Sequence, residues 1–339
     1  MITRWTETYR LEHHGRQADF IKIGLNAAIV AMIGNDPCIL RVPGQSREFA
    51  DALPWGPFDP LTHRTMEIGL RGWVEEQTAL RLGYIEQLYT FGDRGRQRIE
   101  DDAGPHVVSV GYLALTRVQA DQMPAIRLAG AEFRSWYQFL PWEDWRQGRP
   151  AMLDDLILPA VTHWASKAGR TPYASRGMAP ETRVRIAFGL DGAPWDEDYA
   201  LDRYELMYSA GLVAESVRDG RFAQMQVEGA TGSPMDHDHR RILVTAMSRL
   251  RSKLKYRPVV FELMAEEFSL TELQQAVESI FGREIHKQNF RRLVENAALV
   301  EPTGATSTTT GGRPAALFRF RREVLQERPA PGLRVGRRG

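Results

Sequence analysis

Between Phe268 and Leu299 the chain spells out two helices and the turn that joins them, and this run limits the fold more than any other stretch. Ser269 and Glu272 stand at the Ser-x-x-Glu spacing of a capping box, in which each side chain satisfies a backbone N–H that the first helical turn leaves free. Gly282 supplies a residue that tolerates the left-handed conformation of a helix stop. After the short turn Arg283 to His286, Phe290, Leu293, Val294 and Ala297 recur at spacings of three and four and form the apolar stripe of a second helix.

The flanks extend the pattern. Upstream, Ile242, Leu243, Ala246, Leu250 and Leu254 alternate with Arg and Lys, which predicts an amphipathic helix from His237 to Leu254 with a basic outer face. Downstream come Leu299 to Pro302, a polar run from Thr303 to Pro314 that reads as a loop too long for a tight hairpin, and Ala315 to Phe320 as a returning strand. Helix, helix, turn, helix and wing is the order of a winged helix-turn-helix. Its second paired helix presents Lys287, Gln288, Asn289, Arg291 and Arg292, mixing groups that match adenine or guanine edges with groups that neutralise phosphate. Arg313, in the wing, is placed for a phosphate or the minor groove. The plainer alternative is a helical bundle with a basic solvated face.

Charge and length agree with a bipartite chain. The 339 residues suffice for about two domains. The net charge is +1, but from Asp236 onward 19 Lys and Arg face 12 Asp and Glu, so the remainder is acidic. That asymmetry suggests a nucleic-acid-binding module joined to something else, although only five of the 44 basic residues are Lys, so Arg richness is chain-wide. The Gly-, Ser-, Thr- and Pro-bearing segment 229–235 predicts a linker, giving a first domain over 1–228, a winged helix domain over 236–325 and a disordered tail over 326–339. The lone Cys38 excludes an internal disulfide and a Cys-rich zinc site, and makes a cytoplasmic protein the default expectation. The charged start lacks a signal-like apolar core, and the most apolar run, Ile23 to Ile33, is far short of the roughly 20 residues that span a bilayer, so neither export nor a membrane partner is expected.

In the first domain, Phe20 to Ile33, Tyr84 to Phe91 and Val107 to Leu115 read as strands. Met66, Leu70, Trp73, Val74 and Gln77 mark an amphipathic helix within 64–80, and further helices are expected near Met152 to Ala165 and Asp202 to Ala210, so the domain is mixed α/β. With its run Leu70-Arg-Gly-Trp-Val-Glu-Glu-Gln-Thr-Ala-Leu80, this domain resembles a Nudix domain with an eroded signature. Active Nudix hydrolases carry Arg-Glu-apolar-x-Glu-Glu-x-Gly there, and the carboxylates hold Mg²⁺ on a diphosphate. Arg71, Glu75 and Glu76 match, whereas Gly72 replaces the first Glu, Thr78 replaces the closing Gly and His63 falls at the upstream Glu. The resemblance therefore implies a sensor with no catalytic residues and no resident metal or cofactor. Mg²⁺ is possible with the regulatory ligand and is not expected to be required. The competing expectation is an active pyrophosphohydrolase with an accessory winged helix.

Asp238 to Leu243, Leu250 to Tyr256, Phe268 to Leu273, Asn289 to Arg292 and Gly312 to Ala315 extend the likeness to NrtR-type regulators of NAD metabolism. Phe58 to Pro60, Trp73 to Thr78, Tyr89 to Arg96 and Arg203 to Leu206 are most similar to the alphaproteobacterial NadQ branch. This resemblance implies a homodimeric repressor of NAD biosynthesis genes, bound to an inverted-repeat operator in double-stranded DNA and answering to an adenine nucleotide such as ADP-ribose, NAD or ATP. The expected effector residues are Arg71, Glu75, Glu76, Asp93, Arg94, Arg96 and Tyr112. Two glycines and two arginines in Gly92 to Arg96 suit phosphate oxygens. Trp136, Tyr137, Phe139, Trp142 and Trp145 are expected in the core, with adenine stacking as the alternative. Asp236 to His239 are expected to cap a helix, with metal ligation as the alternative.

Overall fold

The computed structural model describes residues 21–46, 49–93, 96, 106–167, 178–225, 231–307 and 314–324. Its first part is built on strands β1 (Ile21–Ile33), β2 (Asp36–Pro43), β3 (Asp51–Ala52), β4 (Trp55–Pro57), β5 (Tyr84–Phe91), β6 (His106–Leu115) and β7 (Glu132–Ser135). Helix α1 (Met66–Thr78) lies between β4 and β5, and α2 (Met123–Leu128) and α3 (Trp136–Phe139) flank β7. A π-helical turn over Leu153–Ile157 leads into α4 (Leu158–Lys167), followed by α5 (Pro180–Ala187), α6 (Ala200–Ser209), α7 (Ala214–Arg218) and α8 (His239–Leu254). The last part holds β8 (Phe268–Ser269), α9 (Leu270–Phe281), α10 (Lys287–Ala297), β9 (Val300–Ser307) and β10 (Ala315–Phe320).

The large sheet runs β3-β2-β1-β6-β5, with β4 also on β1 and β7 also on β2. β1 and β6 pair in parallel from Ile21↔His106 to Val30↔Leu115, which explains the nearly unbroken apolar run of β1: a central strand covered on both faces has no solvent side to keep polar. Alternate residues go to opposite faces. Leu25, Ala27 and Ile29 join Leu70 and Val74 of α1, whereas Ala28 and Val30 join Ile242, Leu243 and Leu250 of α8. Gly111 of β6 lets α8 approach, since a Cβ there would stand 3.1 Å from both Ile242 Cγ2 and Phe91 Cε2.

Helix α8 is therefore the second layer of the sheet domain, and this corrects its reading as a helix with a basic solvated face. Arg240 and Arg251 are completely buried. Thr231 and Met235, within the segment expected to be a linker, are buried as well. The aromatic run from Trp136 to Trp145 is core, packed with α8 and α9. In the last part β8-β10-β9 forms a small sheet. Thr306 and Ser307 pair with Ala316 and Ala315, so the polar run expected as a loop from Thr303 is strand as far as Ser307. The tail over 326–339 lies outside the described residues.

Candidate functional site

Thr65 caps α1, its Oγ1 accepting from Ile68 N at 3.1 Å. The first turn of α1 meets β5 and β6 around a cavity of about 290 Å³ lined by Thr65, Met66, Glu67, Ile85, Glu86, Gln87 and Tyr112. The Tyr112 hydroxyl lies 3.5 Å from Gln87 Oε1, and burial, with Glu67 nearby, pushes its phenol up. On the cavity wall, Glu86 accepts from the Tyr84 hydroxyl at 2.8 Å and from Lys253 of α8. Helix α8 thus reaches a residue of the cavity wall, though none of its own side chains lines the cavity.

Among the residues expected at an effector, Tyr112 lines this cavity and the other described ones do not. Arg71 donates to Glu67 at 2.9 Å and to the carbonyls of Leu82 and Gly83, clamping the segment that follows α1. Glu75 pairs with the exposed Arg81 at 2.7 Å, and Glu76 faces solvent. Arg94 lies outside the described residues.

Arg96, expected on phosphate, is instead buried, fork to fork on Glu205 of α6, with its guanidinium 3.9 Å from the centre of the Tyr208 ring. Asp93 is held by Arg241 of α8, which also pairs with Glu205 and Asp238. Burial pushes the Asp238 carboxyl up to about 7, against the pull of Arg241 and Arg96.

These positions do not assemble a Mg²⁺ centre. Gly72 is exposed, His63 Nδ1 accepts from Asp59 N at 3.1 Å, and Glu67 and Glu86 answer to Arg71 and Lys253. Among the described residues no cluster of three or more His, Cys, Asp or Glu is placed to hold a metal. Asp236 to His239 belong to no such cluster and give α8 no side-chain cap. Asp236 accepts from Gln45 N at 2.8 Å and Ser46 N at 3.0 Å, and Asp238, at the cap position of α8, makes no side-chain capping bond. His239 accepts from Leu53 N at 3.0 Å and bonds Asn26 at 2.8 Å, and burial holds its ring well below the ordinary histidine range, so it is neutral.

The second site is the face of α10. Both capping-box bonds of α9 form, Glu272 N to Ser269 Oγ at 3.2 Å and Ser269 N to Glu272 Oε2 at 2.7 Å, and Gly282 closes the helix at φ 72°. α10 buries Phe290 and Val294, which turns Lys287, Gln288, Asn289, Arg291 and Arg292 to solvent. Arg319 on β10 pairs with Glu301 on β9 at 2.6 Å, and Arg313 lies outside the described residues.

Contacts between distant parts of the sequence explain much of the charge asymmetry. Arg240 pairs with Glu215, Arg251 with Glu143, Lys253 with Glu86, Lys255 with Asp198 and Arg283 with Glu197. A large part of the basic surplus is therefore an internal seam. Lys287, Arg291 and Arg292 form no ion pair among the described residues.

Comparison with known proteins agrees with this division. Residues 260–320 match the model of the NrtR DNA-binding winged helix domain, beginning after α8. The ADPR-responsive transcriptional repressor NtrR of Acinetobacter baylyi is 38% identical over 94 residues, which are 28% of this chain and 37% of that protein. The structure of Shewanella oneidensis NrtR complexed with a 27mer DNA superposes with a TM-score of 0.54 over 90% of this chain and 95% of that one, at 21% identity. The same protein without DNA gives a TM-score of 0.50 at 20% identity, covering 93% and 97% of the two chains. The chain thus shares the fold of that Shewanella protein along nine-tenths of its length, and its residues 260–320 match the NrtR DNA-binding winged helix domain.

Proposed function

We propose that this chain is a ligand-responsive DNA-binding repressor whose Nudix-like domain binds an adenine nucleotide without hydrolysing it. The observation that carries the reading is α10. Its exposed face holds three cations with no acidic partner among the described residues, interleaved with Gln288 and Asn289. A helix of that kind supplies phosphate neutralisation and base-edge donors together. Lys287 to Asn289 stand in its first turn, where the helix dipole also favours a phosphate.

The relatives support each half. The Acinetobacter protein is named as a repressor responsive to ADPR, and the Shewanella structure holds DNA. One winged helix reads too few bases for selectivity in a genome, so we infer a homodimer on an inverted repeat with recognition helices about 34 Å apart. NAD biosynthesis genes are the inferred targets, ADP-ribose, NAD or ATP the effector and the cytoplasm the place of action. The cavity beside Tyr112 is the inferred effector site, and the poor fit of its carboxylates to Mg²⁺ argues for sensing.

Selection of bound duplexes from a random pool by the full chain, followed by anisotropy titration with and without ADP-ribose, tests the proposal. It requires enrichment of a two-fold symmetric site whose affinity changes with an adenine nucleotide. Failure to enrich any sequence contradicts it.

A further inference from the structure

The carbonyl groups that end a helix ordinarily find partners in water or in the residues that follow. Those of α9 are met largely by other parts of the chain. The Tyr137 hydroxyl donates to Ser279 O at 2.6 Å, Arg251 Nε to Ile280 O at 2.9 Å and Trp145 N to Gly282 O at 2.6 Å. Behind them lies a buried ion triad. Glu143 accepts from Arg203 of α6 at 2.6 and 2.9 Å and from Arg251 of α8 at 2.6 Å, and all three side chains are 0% exposed. The approach is close: a Cβ on Gly282 would stand 2.4 Å from Glu143 O.

We propose that Tyr137, Glu143 and Arg251 are positioning residues that dock α9, and through it α10, on the sheet domain at one fixed angle. The inference rests on the reading of α10 as the DNA-contacting helix for its consequence, though not for its geometry. A buried, hydrogen-bonded carboxylate between two guanidiniums has one low-energy arrangement, because moving either partner strands a charge away from water. Only five residues separate α9 from α10, and Ile285 among them is buried, so the angle set at Ser279 to Gly282 is carried into the exposed face of α10. Arg251 also shares α8 with Lys253, which holds Glu86 on the cavity wall. The same turn of α8 therefore holds a residue of the cavity wall, through Lys253, and the end of α9, through Arg251.

The test places nitroxide labels on the full chain at Arg127→Cys and Asn296→Cys, both exposed positions, dilutes the labelled chain into excess unlabelled chain so that only the intrachain pair is read, and records its distance distribution by pulsed electron resonance. The unsubstituted docking site is expected to give one narrow distance. In Tyr137→Phe with Arg251→Lys, which removes the donors to Ser279 and Ile280 while keeping a cation beside Glu143, the width is expected to at least double with both domains still folded. DNA affinity should then fall at least fivefold. If the double variant does not fold, Tyr137→Phe alone decides in the same way. An unchanged narrow distribution overturns the proposal. The distance is read without DNA, so a chain that bound no DNA would refute the proposed function and leave the docking result standing.

Discussion

Glu143→Gln is the most informative single change. The side chain keeps its volume, so no cavity opens, but the carboxylate that receives three short charge-assisted bonds from Arg203 and Arg251 becomes a neutral amide. One amide oxygen then serves two guanidiniums, and the amide NH₂ points a donor at donors. Removing one partner of a buried ion pair costs about 3–5 kcal/mol because the opposite charge is left uncompensated. At about 2–4 °C per kcal/mol, the scale for domains of 150–250 residues, melting should fall by about 6–20 °C at pH 7. The pH dependence has a defined sign. Although burial opposes it, Arg203 and Arg251 hold the Glu143 carboxyl below the usual range, so its contribution is complete above the ordinary glutamate pKa and is lost as the pH falls through the lowered one. The gap between parent and variant should therefore narrow as the pH is lowered from 7 towards 3. Circular dichroism melts across that range provide the assay. A fall of less than about 2 °C at pH 7, or a gap independent of pH, would refute the reasoning.

Three further outcomes are expected. ADP-ribose incubated with the chain and Mg²⁺ or Mn²⁺ should release AMP only at the background rate, because Gly72 and His63 stand where carboxylates are required; chromatographic detection of metal-dependent AMP would contradict this. Gly72→Glu should be tolerated and stabilising by about 0.5–1 kcal/mol in denaturant titrations, since a Cβ at that exposed helical position meets nothing within 4 Å and Gly is a poor helix former. Ser269→Ala removes the Oγ that accepts from Glu272 N, one arm of the α9 capping box, and should cost about 0.5–2 kcal/mol, whereas an unchanged midpoint would show that arm to be idle.

The parts of the fold that follow from neighbours in sequence were legible from sequence. The capping box, the Gly282 stop, the exposed face of α10 and the strand Tyr84–Phe91 depend on residues a few positions apart, and their spacing announces them. The role of α8 was not legible. Its arginines look like a solvated face until Glu215 and Glu143 are known to sit beside them, and Glu143 is 108 residues away from Arg251. Arg96 misled for the same reason: a Gly- and Arg-rich loop suits phosphate, but Glu205 occupies the guanidinium first. The cavity is lined by Tyr112, one of the residues expected at the effector, together with Glu67 and Glu86, which enter through the packing of α1 against β5, an arrangement no local pattern encodes.

The central claim, that α10 meets DNA, is tested most directly by the salt dependence of duplex binding by the full chain and by Lys287→Ala, Arg291→Ala, Arg292→Ala combined. Each phosphate contact contributes about 0.9 to the slope of log K against log salt. The account predicts weaker binding and a slope shallower by up to about 2.7 in the triple variant, with its melting unchanged because all three side chains are exposed. Equal affinity and equal slope in the two proteins would contradict it.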